Sequence, residues 1–265
     1  MTLPNPVFAP FGEHKVAYYS YGTGTEALVF IHGWTCDSSL WEPQQPLFSR
    51  YSRTVLVDYL GHGNSDSPDI DYAIETLARS VRAALEHAKI EKAVIIGHSM
   101  GGSVSTMLLR LFPQMVNGII YVDSFFHPPN HYLNNVELEA LREQYGSEDA
   151  FDAIIRPMFS VSPLAMQEKI FIRMKSTPKH VRLSCVCTPS RPHAWRHDEV
   201  YDIPTMNVGT LFAPVYDRAW KRHLPRFEMR QEEWKDCSHF PFVDQPERFN
   251  EMVERWIFEN ELQRC

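Results

Sequence analysis

A chain of 265 residues that is 44% hydrophobic and 22% charged can bury one large core and is too apolar to be disordered. With a net charge of −7 and no basic cluster interleaved with aromatics, it has no electrostatic footprint for nucleic acid. The longest apolar tract, 93–109, is broken by Gly97, His98, Ser99, Gly101, Gly102, Ser103 and Ser105, so no membrane span is expected.

In chain order, 14–20, 27–32, 53–58, 92–97 and 118–123 read as strands, with weaker candidates at 203–208 and 227–231. Runs such as "ALVFI" and "AVII" are apolar throughout, as parallel strands covered on both faces are. Ile74, Leu77, Ala78, Val81, Leu85 and Ala88 recur at helical spacing between the third and fourth strands. Phe249, Met252, Val253, Trp256 and Ile257 repeat that pattern near the end. Residues 125–201 break the alternation, with helical periods near 136–145 and 163–175. The expected architecture is a three-layer α/β/α sandwich with a mostly parallel sheet, its core formed by 1–124 and 202–265. Residues 125–201 are expected to be an inserted helical cap.

Five cysteines (Cys36, Cys185, Cys187, Cys237 and Cys265) form an odd set without metal-ligand spacing, which favours free thiols. The first fifteen residues lack the basic start and apolar tract of a secretory signal, so a cytoplasmic location is expected. No sequence motif calls for a metal or cofactor. The expected partner is a small-molecule substrate, and nothing in the sequence sets the oligomeric state.

The chemistry concentrates at Ser99. In "IIGHSMGG" a Gly-x-Ser-x-Gly pattern joins an apolar strand to a helical run, and only small residues at Gly97 and Gly101 permit so abrupt a turn. Here the sequence resembles the α/β-hydrolase superfamily, on both sides of the 125–201 insertion. The resemblance implies that Ser99 is a nucleophile and that the "HGW" loop after an early strand supplies an oxyanion donor, the N–H of Trp34. Trp34 serves equally as a pocket wall. Met100, following the nucleophile at a helix N-terminus, is the second expected donor. The segment 57–66 resembles the superfamily's glycine-rich loop, with Gly61, His62, Gly63 and Ser65 in turn-forming roles.

A serine needs a neutral imidazole to accept its proton. The segment "DCSHFPFVDQPERFN" resembles the superfamily's histidine loop and singles out His239. The usual acid position, a Gly-x-x-Asp after the penultimate strand, is missing from "IPTMNVGTLFAPVYD". Asp123, 24 residues after Ser99, stands where some branches of the superfamily carry the acid. Asp217 is the reserve, and a turn-forming role for Asp123 remains open. These residues imply a serine hydrolase acting through an acyl-enzyme on an ester, lactone or thioester of a small apolar or aromatic molecule. Phe125, Phe126, Tyr132, Phe151, Phe159, Phe171 and Trp195 are available to line its pocket or to pack the insertion on the core. Two alternatives stay open: a cofactor-independent dioxygenase on the same fold, and a non-catalytic module that binds a small ligand.

Overall fold

Continuous apolar runs form the centre of one sheet, because only strands covered on both faces can bury every side chain. The computed structural model describes residues 5–124, 134–187, 202–210 and 230–262. Eight strands occur among them: β1 (Val7–Phe11), β2 (His14–Tyr21), β3 (Glu26–Ile31), β4 (Arg53–Asp58), β5 (Lys92–His98), β6 (Val116–Val122), β7 (Thr205–Thr210) and β8 (Arg230–Trp234). Their spatial order is β1-β2-β4-β3-β5-β6-β7-β8. The β1–β2 and β2–β4 pairs are antiparallel, and the remaining pairs are parallel.

Chain order reverses at β3, which lies between β4 and β5. Ligands of open α/β sheets bind beyond the carboxyl ends of strands at such a reversal. The residues that follow β3 and β5, Gly33 and Ser99 among them, therefore occupy the favoured place for a site.

Helices cover both faces of the sheet. After the short α1 (Gln45–Phe48), α2 (Ile74–His87) buries Ile74, Leu77, Ala78, Val81 and Leu85, and α3 (Met100–Leu111) packs beside it. A Cβ on Gly102 of α3 would lie 3.1 Å from the Tyr121 ring of β6. Gly118, an odd number of residues earlier and hence on the opposite face, instead meets Trp256. Among the described residues, four helices lie between β6 and β7 in the chain: α4 (Asn135–Gly146), α5 (Glu148–Ile155), α6 (Leu164–Ser176) and α7 (Lys179–Cys187), with a 3₁₀ turn at Arg156–Phe159. Asn134 and Glu137 form a reciprocal cap on α4, and Ser147 caps α5. The described chain ends with α8 (Pro241–Asp244) and α9 (Pro246–Glu259); Trp256 belongs to α9. No helix among the described residues is long and apolar enough to cross a membrane.

Two differences from the sequence reading have simple causes. Pro10 breaks the strand signature of β1, but β1 is an edge strand, where a missing N–H is tolerated. The short helices follow no long periodic run: α5 is set by its Ser147 cap and the burial of Phe151 and Ile155, and α7 by the burial of Val181 and Arg182. The weaker strand expectations shift to Thr205–Thr210 and Arg230–Trp234.

Candidate active site

Ser99 occupies a sharp corner between β5 and α3, with φ 51° and ψ −119°. A non-glycine residue with positive φ stores roughly 1–3 kcal/mol of strain, which the surrounding packing must hold. The flanking glycines show how tightly it is held. A Cβ on Gly101 would lie 2.5 Å from the carbonyl oxygens of Ile31 and His32, and one on Gly97 would lie 2.6 Å from the Gly101 carbonyl. The Ser99 N–H donates to the Val122 carbonyl at 2.9 Å. Because His98 pairs with Val122 across parallel strands, Ser99 and Asp123 directly follow the ends of two neighbouring strands.

Asp123 also has positive φ, 45°, and is 1% exposed. Its Oδ2 accepts from His239 Nδ1 at 2.6 Å and from Thr210 Oγ1 at 2.8 Å, while Oδ1 accepts from the Thr210 N–H at 2.7 Å. Thr210 ends β7, the neighbouring strand. The strand that lacks the usual acid thus contributes two donors to the carboxylate of β6. Asp217 lies outside the described residues.

His239 is buried, and its main chain is held at both ends. Its N–H donates to the Met158 carbonyl at 2.9 Å, and its carbonyl accepts from His98 Nε2 at 2.8 Å. His98 therefore points away from the elbow and braces the histidine loop. Burial and the neighbouring His239 keep its imidazole well below the usual histidine range.

The Gly33 carbonyl accepts from the Tyr59 hydroxyl (2.7 Å), from His32 Nδ1 (2.8 Å) and from the Cys36 N–H (3.2 Å). In a trans peptide the N–H points opposite to the carbonyl, so these three donors also aim the Trp34 N–H. A Cβ on Gly33 would sit 3.1 Å from Ser99 Cβ, which brings this peptide beside Ser99. Met100, the first residue of α3, has an N–H without a carbonyl one turn back inside the helix. The Trp34 side chain acts elsewhere. Its indole N–H donates to the Arg182 carbonyl and its ring meets Tyr145 and Phe151 edge-on, so that it docks α4, α5 and α7 on the core.

Burial pushes the Cys36 thiol up, which leaves it inert as a nucleophile. Gly61 and Gly63 have φ of 88° and 56°, as the loop after β4 requires, and buried His62 stacks edge-on against Tyr59. Among the described residues no group of three or more His, Cys, Asp or Glu is placed to hold a metal ion. Phe151 and Phe159 are buried packing residues, and Phe171 lies under Arg156. Phe125, Phe126, Tyr132 and Trp195 fall outside the described residues.

The sequence profile of the alpha/beta hydrolase family matches residues 28–252, a span that takes in both the elbow and the histidine loop. The chain belongs to this family. A curated relative, 3-oxoadipate enol-lactonase 2 of Acinetobacter baylyi, is 26% identical over 242 residues, covering 89% of this chain and 91% of that protein. An uncharacterized protein of Mycobacterium tuberculosis is 32% identical over 121 residues, 46% of this chain; the match spans about a third (35%) of the relative's length. Among solved structures, a thermophilic esterase from Thermogutta terrifontis aligns with a TM-score of 0.79 at 21% identity, over 97% of this chain and 99% of that one. At that identity the likeness speaks for the fold.

In this alpha/beta hydrolase, sequence reasoning singles out Ser99, Asp123, His239, Trp34 and Met100, but not Thr210, Tyr59 or Met158. Those three act through strand register and long-range hydrogen bonds, which no local motif records.

Proposed function

We propose that this chain is a serine hydrolase that cleaves a carboxylic ester, lactone or thioester through a covalent acyl-enzyme. One observation carries the reading: the buried Asp123 carboxylate holds His239 Nδ1 at 2.6 Å, at the strand end beside a serine on a strained elbow. That bond makes Nδ1 the protonated nitrogen and leaves Nε2 in the unprotonated form that a base needs.

In this mechanism Ser99 Oγ attacks the carbonyl carbon while its proton passes to His239 Nε2. The tetrahedral oxyanion accepts from the N–H groups of Trp34 and Met100, where loss of one donor typically costs about 3–4 kcal/mol of transition-state stabilisation. Collapse expels the leaving group, which takes the proton from His239. Water, deprotonated by the same nitrogen, then releases the acid and restores Ser99. Asp123 stabilises the imidazolium through its bond to Nδ1. The inserted helices α4 to α7 act as a cap over the site, anchored by the Trp34 indole. The enol-lactonase likeness, along nearly the whole chain, supports trying lactones beside simple esters.

The test is a panel of ester, lactone and thioester substrates, chosen with small apolar and aromatic acyl groups. Ser99→Ala is expected to lose several orders of magnitude in turnover and to keep its circular dichroism spectrum. Undiminished turnover by the folded variant would sink the covalent mechanism.

A further inference from the structure

The turn that leads into α6 reaches across to the loop that carries His239. Beside the bond from the His239 N–H to the Met158 carbonyl, Ser162 Oγ lies 3.0 Å from Ser238 Oγ and donates to Asp244 Oδ1 at 2.5 Å. The Ser238 N–H donates to Asp244 Oδ2 at 2.7 Å, and the Phe240 N–H donates to Ser238 Oγ at 3.0 Å. Ser162 and Ser238 are both buried.

Proton counting fixes the directions. A serine has one hydroxyl proton, and that of Ser162 goes to the carboxylate. Ser238 must therefore donate to Ser162 while accepting from Phe240. Each of the three successive N–H groups of Ser238, His239 and Phe240 then has its own acceptor. Two of the groups that complete this arrangement, the Met158 carbonyl and the Ser162 hydroxyl, come from the insertion between β6 and β7.

We propose that Ser162 and Asp244 are positioning residues for His239, locking the inserted segment to the histidine loop so that the imidazole stays aligned with Asp123. The proposal rests on the reading of His239 as the general base. Removing the Ser162 hydroxyl leaves the buried Ser238 hydroxyl without its acceptor and Asp244 with one donor fewer, so the loop relaxes to find other partners. A displacement of about 1 Å in a catalytic group can cost on the order of 10²-fold in rate, and a partial loosening costs less.

The experiment compares Ser162→Ala, Asp244→Asn and the double variant by kcat, by KM and by the downfield proton resonance of the His239 Nδ1–H bonded to Asp123. Each single variant is expected to lower kcat about tenfold with KM within about twofold, and to move or broaden that resonance. The double variant should fall no lower than the worse single one, since both cut the same network. If Asp244→Asn does not fold, Ser162→Ala decides alone. An unmoved resonance with wild-type kcat, or a loss carried by KM alone, overturns the proposal. Ser99→Ala, run in parallel, keeps the two readings apart: an active Ser99→Ala refutes the nucleophile, while the resonance still reports whether Ser162 positions His239.

Discussion

Asp123 shows how one buried carboxylate is prepared for its proposed role. Thr210 donates to both of its oxygens and His239 to one, so no charge is left bare in the core. Asp123→Asn keeps the shape but removes the charge, leaving His239 in the wrong tautomer; turnover should fall by about 10⁴. Thr210→Val keeps the backbone donor and removes only the hydroxyl, a hydrogen bond to a charged group worth about 1.5–3 kcal/mol. Its turnover should drop about tenfold, well short of the Asp123→Asn defect. Asp217→Asn should stay within a few-fold of wild type. Steady-state kinetics on the three variants, with circular dichroism as a check on folding, separates the carboxylates; a severe Asp217→Asn defect beside a mild Asp123→Asn one reverses the assignment.

Among the strands and helices, what is legible in the sequence is local. The apolar runs of β3 to β6 and the stripes of α2 and α9 announce themselves because each buries a continuous surface. The elbow is legible too, since strand, glycines, serine and helix coincide within a dozen residues. Trp34 is singled out by its motif for a proposed backbone donor, whereas the docking of its indole on the Arg182 carbonyl depends on a residue 148 positions away. Thr210 is hidden for the same reason, because its partnership with Asp123 follows from the β6–β7 register. No motif marks Ser162, whose role needs three segments brought together by the fold. The bond from His98 to the His239 carbonyl likewise emerges only in three dimensions.

Taken as a whole, the molecule keeps three imidazoles neutral around the carboxyl ends of β3, β4 and β5. Burial holds His32 down to about 3, and His62 and His98 well below their usual range. Each has a folded pKa below its unfolded value of about 6.5, so its stability contribution is full above about pH 6.5 and is lost as pH falls below that value. Asp58 opposes them: burial and the nearby Asp37 raise it to about 6, so between about pH 4 and 6 the folded state binds the extra proton. Three histidines outweigh one carboxyl, at about 1.4 kcal/mol per pH unit per proton. Unfolding free energy measured by denaturant titration should therefore fall from pH 7 to pH 5, and His32→Asn should flatten the slope by about one proton; stability that rises toward pH 5 contradicts this balance. Whether Ser99 is a nucleophile activated by His239 is decided by reaction with a fluorophosphonate followed by peptide mass mapping. One adduct is expected, on Ser99, that abolishes hydrolysis and is absent from Ser99→Ala. A fully active protein that takes up no label, or a Ser99→Ala variant labelled as the wild type is, would contradict it.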